Sequence, residues 1–138
     1  MRIEDIKQRF CSQEAYRVYS ACMYMPTFEK LEAEARKFLT DDSISIFGYL
    51  DDDEILGIIA VGKTGAYAEI IGIAVAQENR GKGIGKSLID FSADRFGVLF
   101  AETDDDAVGF YINCDFEIER FVKEFPNGKC VRYNCTLK

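Results

Sequence analysis

The segment Arg80-Gly81-Lys82-Gly83-Ile84-Gly85-Lys86-Ser87 combines three glycines at alternate positions with three cations, and it lies between a strand-like and a helix-like apolar run. Glycines leave neighbouring main-chain N–H groups open to a ligand, while Arg80, Lys82 and Lys86 bring positive charge to the start of a helix. That is chemistry for holding an anion, phosphate above all. Spacing narrows the ligand. A P-loop requires GxxxxGK[ST]; Gly85-Lys86-Ser87 supplies the ending, but the first glycine falls on Arg80. The dinucleotide fingerprint GxGxxG fails as well, because its third glycine falls on Lys86 counted from Gly81 and on Leu88 counted from Gly83.

Arg-x-x-Gly-x-Gly does fit, with Arg80, Gly83 and Gly85 following the strand-like Ile70-Ile71-Gly72-Ile73-Ala74-Val75. In this the chain resembles the GNAT family of N-acetyltransferases, whose loop amides hold the pyrophosphate of acetyl-CoA at a helix N-terminus. A second stretch, Ala107-Val108-Gly109-Phe110-Tyr111-Ile112-Asn113-Cys114-Asp115-Phe116, is similar to that family's AxxFYxxxGF segment. Asp115 replaces a glycine there, at a position that commonly takes positive φ, and Asp tolerates that region better than most residues. Asp104 stands where many members carry an Asn that bonds the pantetheine arm; an ionised carboxylate has no N–H to donate.

The resemblance implies acetyl transfer from acetyl-CoA to a primary amine of a small molecule or peptide, without a covalent enzyme intermediate. It assigns the cofactor to Ile73, Ala74, Val75, Arg80, Gly81, Lys82, Gly83, Ile84, Gly85, Lys86, Asp104 and Tyr111. The strand backbone at Ile73–Val75 would pair with the pantetheine arm, and an amide there would polarise the thioester carbonyl. Tyr111 would protonate the departing thiolate. A Lys-like amine has a pKa of about 10.4, so neutralising it at pH 7 costs about 4 to 5 kcal/mol unless a base assists. Glu69, the one carboxylate on the strand leading to the loop, is the expected base. The alternative is an acyl-CoA-binding or regulatory module that kept the loop and lost the acceptor chemistry.

Other clusters are less specific. Glu102, Asp104, Asp105 and Asp106 suit either attraction of a cationic acceptor or capping of the following helix. Asp51-Asp52-Asp53 with Glu54 reads as a solvated turn, lacking calcium-loop spacing. The five cysteines include no CxxC, so they signal neither a zinc site nor a disulfide framework, and reduced, mostly buried thiols are expected. With no His, acid–base work falls to carboxylates, Tyr, Lys, Cys or water.

A net charge of -7 argues against nucleic acid as a partner. No apolar run reaches the roughly 18 residues of a membrane span, and Met1–Asp5 is too acidic to begin a signal peptide, so a cytoplasmic protein, monomeric or homodimeric, is expected. The 138 residues suffice for a single domain, 1–138.

The positioning elements follow from periodicity. Ala15, Val18, Tyr19, Cys22 and Met23 mark one helix face, interrupted by Pro26. Thr27 caps a second helix with the stripe Phe28, Leu31, Ala35, Phe38 and Leu39. Strands are expected at 43–50, 54–61 and 66–75 as an antiparallel meander, then a helix from the glycine loop to its stop at Gly97. A strand at 98–102, a short helix at 107–113 and a hairpin of 116–125 with 129–137 complete the order. The expected class is α/β, a mixed and mostly antiparallel sheet flanked by helices. The resemblance covers most of 43–137, with its specific motifs within 70–116.

Overall fold

Strand-forming residues alternate in β2 Ile44–Asp51 and β3 Glu54–Thr64, where Ile46 and Ile58 turn to one face while Phe47 and Ile59 turn to the other. Both faces must therefore be covered. The computed structural model describes residues 1–138 and meets that demand with helices on each side of one seven-stranded sheet. The remaining strands are β1 Arg2–Asp5, β4 Tyr67–Val75, β5 Val98–Thr103, β6 Glu117–Phe125 and β7 Gly128–Leu137, in the order β1-β2-β3-β4-β5-β7-β6. Every pairing is antiparallel except β4 with β5. This is the mixed, mostly antiparallel architecture expected.

Helices α1 Gln13–Tyr19 and α2 Phe28–Leu39 cover one face, where Phe10, Val18, Tyr19, Leu31 and Ile58 share a core cluster. Helices α3 Ile84–Phe96 and α4 Val108–Asn113 border the second cluster, which includes Leu88, Ile89, Leu99 and Tyr111. Side-chain oxygens of Ser12 and Thr27 accept from Ala15 N and Lys30 N and so cap α1 and α2. Gly97, at φ 83, stops α3 as expected.

Three local expectations need correction. The first helix ends at Tyr19, and Ser20–Cys22 tightens into a 3-10 turn that carries Cys22 and Met23 away from the helix stripe. The β3–β4 turn is shorter than its composition suggests, since Gly62, Lys63 and Thr64 still pair with Glu69, Ala68 and Tyr67. The acidic start of the chain also forms a strand, because Arg2–Asp5 lies against Asp5's partner Phe47 through Leu50. That edge pairing involves four residues, too few for a period-2 signal.

Candidate active site

Strands β4 and β5 stay in register for only three pairs, Tyr67↔Val98, Ala68↔Leu99 and Glu69↔Phe100. On the β3 side, Val61 pairs with Ile70 and Ala60 with Gly72, so Ile71 is one residue too many and β4 bulges there. Beyond these pairs the two strands part. The gap is a cleft of about 1140 Å³, lined by β4 from Ile70 to Val75, the glycine loop, α4, and the α1–α2 link.

The glycine loop forms one end. Gly81 and Gly83 have φ of 79 and 80, and a Cβ on either would meet nothing within 4 Å, so both glycines are needed for the backbone turn and leave open space beside it. The first bond of the α3 ladder is Ser87 N–H to Gly83 O at 3.0 Å, and none of the main-chain amides of Gly81 to Lys86 donates to another group of the protein. Unpaired donors at a helix start make an anion cradle. Gly85 has a different reason: a Cβ there would come within 2.7 Å of Phe110, so this glycine lets α3 and α4 pack. Of the loop residues named from sequence, all line the cleft except Lys82; Lys86 also pairs with Asp90 at 3.0 Å.

Tyr111 lies at the cleft wall, only 6% exposed and set edge-on between Phe110 and Phe116 with ring centroids 5.2 and 5.1 Å away. Burial pushes its phenol well above the ordinary range, so it remains protonated at any physiological pH. Asp115 has φ 67, the left-handed backbone expected at a glycine position. Asp104 lines the cleft, while its Oδ1 accepts from Asp106 N and Ala107 N at 3.1 and 3.0 Å. It therefore ties down the turn that leads into α4, whose N-cap Ala107 has no side-chain cap.

The other acids of that run are largely engaged within the protein. Glu102 accepts from Arg132 at 3.0 Å, with Lys123 3.6 Å away, and Asp105 accepts from the Tyr133 hydroxyl at 2.6 Å. Glu69 is exposed and stands one residue outside the lining, which begins at Ile70. The cysteine expectation is corrected: Cys114 and Cys135 are buried, but Cys11, Cys22 and Cys130 are exposed, and all five are free thiols.

Sequence patterns missed the opposite wall, Ala21-Cys22-Met23-Tyr24. Tyr24 is 86% exposed, and Met25 takes φ 44; Lys30 Nζ donates to both carbonyls, at 3.2 and 2.7 Å, and holds this turn to α2. Gly72 is glycine because a Cβ there would overlap the Tyr19 hydroxyl and come within 3.1 Å of Cys22 Sγ. Burial pushes the Cys22 thiol up to about 12, although the Tyr19 hydroxyl and the main-chain N–H of Ile73 pull it down. The sulfur is thus packed under the bulge although the residue as a whole is exposed.

A family model described as acetyltransferase (GNAT) domain matches residues 42–118, more than half the chain. The chain belongs to the GNAT acetyltransferase family. Among solved GNAT-fold structures, the ribosomal-protein-S18-alanine N-acetyltransferase from Escherichia coli superposes with a TM-score of 0.73 at 17% identity, covering 99% of this chain and 92% of that one. An aminoglycoside 6'-N-acetyltransferase complexed with coenzyme A gives 0.76 at 14% identity, over 99% and 96%. A spermidine N-acetyltransferase mutant from Vibrio cholerae gives 0.73 at 17% identity, over 99% and 94%. At such identities the likeness is one of fold. No curated protein sequence matches the chain. No helix is long and apolar enough to cross a membrane.

Proposed function

We propose that this GNAT domain transfers an acetyl group from acetyl-CoA directly to a primary amine of a small molecule or peptide. The observation that carries the proposal is the row of unpaired amides from Gly81 to Lys86, opening onto the gap between β4 and β5. The residues suit the ligand. Arg80 and Lys86 add charge beside the amides, and the cleft runs from the loop along β4 to Tyr111. Acetyl-CoA supplies the acyl group as a thioester. The chain's part is to bind the pyrophosphate at α3, align the pantetheine arm on Ile73–Val75, and keep a proton on Tyr111 for the leaving sulfur. Structural neighbours that acetylate an alanine of S18, an aminoglycoside or spermidine support an amine acceptor for the same architecture.

Calorimetric titration with acetyl-CoA, followed by thiol release against polyamines, aminoglycosides and peptides, tests this. Binding with turnover is expected. Binding without turnover against every acceptor favours the alternative, an acyl-CoA-binding module, and stronger binding of ATP or NAD than of CoA defeats both.

A further inference from the structure

We propose that Arg132 on β7, held in place by Glu102, binds a carboxylate of the acceptor, so that the amine acetylated here belongs to a molecule that also carries a carboxylate. This rests on the acetyltransferase reading above and deepens it by naming the acceptor class. The first observation is where the pair stands. Leu99, Ala101 and Cys135 belong to the core beside α3 and α4, and Tyr133 packs on it. Strand alternation therefore puts Glu102 of β5 and Arg132 of β7 on the opposite face of the sheet. That is also the face of the α1–α2 link, since Tyr19 belongs to the other core and the Cys22 sulfur lies against Gly72. Glu102, Arg132 and Ala21 to Tyr24 all line the cleft. The glycine loop enters α3 through Ile84 and Leu88, which belong to the first core, so cofactor cradle and Arg132 stand on opposite faces of the gap. An acceptor entering from the α1–α2 side meets Arg132.

The second observation is the charge on that wall. Three cations line the cleft; Arg80 and Lys86 belong to the glycine loop, and Arg132 alone lies across the gap. Its Nε donates to Glu102 Oε2 at 3.0 Å, and this is the only bond the guanidinium makes within the protein. The terminal nitrogens of the fork keep their donors, in the planar geometry that matches a carboxylate with two parallel bonds. Lys123 Nζ lies 3.6 Å from the same Glu102 oxygen, so two cations share one carboxylate and the cluster is positive. Glu119, paired across β6 and β7 with Asn134 on this face, forms no ion pair with Arg132. Of the acids lining the cleft, Glu102 is thus neutralised and Asp104 is turned to main-chain amides, which leaves only Asp106 for a cationic acceptor.

The carboxylate passes through the reaction unchanged. The acceptor's ammonium gives one proton to solvent, and the neutral nitrogen forms the C–N bond as the thioester C–S bond breaks. Tyr111 gives its proton to the thiolate and recovers one from the newly acylated nitrogen.

The test uses matched acceptors that differ in the carboxylate: alanine with alaninamide, lysine with cadaverine, and peptides that begin with Glu or with Gln. Thiol release is measured for wild type, Arg132→Gln, Arg132→Lys and Arg36→Gln, the last an exposed α2 residue outside the cleft lining. In at least one pair, wild type should favour the carboxylate member at least about tenfold in kcat/KM. Arg132→Gln should abolish that preference, chiefly through a higher acceptor KM, while acetyl-CoA affinity by calorimetry stays within about twofold. Arg132→Lys, which keeps the charge and loses the fork, should recover part of it. Arg36→Gln should match wild type. A lead for free amino acids assigns the carboxylate to the main chain, and a lead for the Glu-initiated peptide assigns it to a side chain. A wild-type preference for the amide or decarboxylated members, or for spermidine, overturns the inference alone, and this readout does not depend on any variant folding. A preference that survives Arg132→Gln in a folded protein overturns it as well. Failure to bind acetyl-CoA, or binding with no turnover of any acceptor, defeats the acetyltransferase reading and the inference with it.

Discussion

Tyr111 and Asp115 show how single residues of the Ala107–Phe116 segment divide between chemistry and backbone geometry. Tyr111 carries a phenol held protonated by burial in the cleft wall, so Tyr111→Phe should lower turnover by about a hundredfold while leaving acetyl-CoA affinity within about twofold. Steady-state kinetics beside calorimetry checks this. Asp115 carries a left-handed backbone at φ 67. Asp115→Val should therefore cost about 1 to 2 kcal/mol in denaturant melts, whereas Asp115→Gly should be close to neutral. Both residues were legible from their spacing around Phe110 and Phe116.

At the level of elements, the junction of β4, the glycine loop and α3 was read from sequence because its glycines and cations are local. The reason for each glycine was not. Gly83 answers a backbone and ligand requirement, whereas Gly85 answers the approach of Phe110 from a helix more than twenty positions later. Gly85→Ala should consequently destabilise the domain by about 1 to 3 kcal/mol through overpacking, measurable as a lowered melting temperature. The α1–α2 link is the reverse case. Periodicity extended one helix through Met23, but the backbone tightens after Tyr19 so that Tyr19 and Cys22 reach Gly72 on β4. That contact joins residues fifty positions apart, and no helical repeat encodes it. Strand β1 escaped notice for a related reason, since its pairing with β2 spans over forty residues.

For the whole molecule, two cores on opposite faces of a sheet with a gap at the β4–β5 boundary explain why stability and site share residues. Tyr19, Tyr111, Cys22, Cys114 and Cys135 all have acidities weakened chiefly by burial. For groups with raised values, stability is fully present below the unfolded-state value and is lost as pH rises through the folded one. Melting temperature should thus hold level from about pH 7 to 8.5 and fall progressively above the ordinary thiol and phenol range of about 8.5 to 10. The most direct measurement is calorimetric binding of acetyl-CoA to wild type and to Gly83→Asn, a substitution that keeps a left-handed backbone accessible but puts a side chain at the open cradle. The account predicts that wild type binds, and that the variant binds at least about tenfold more weakly while melting within a few degrees of it. Equal affinity in a folded variant would contradict it.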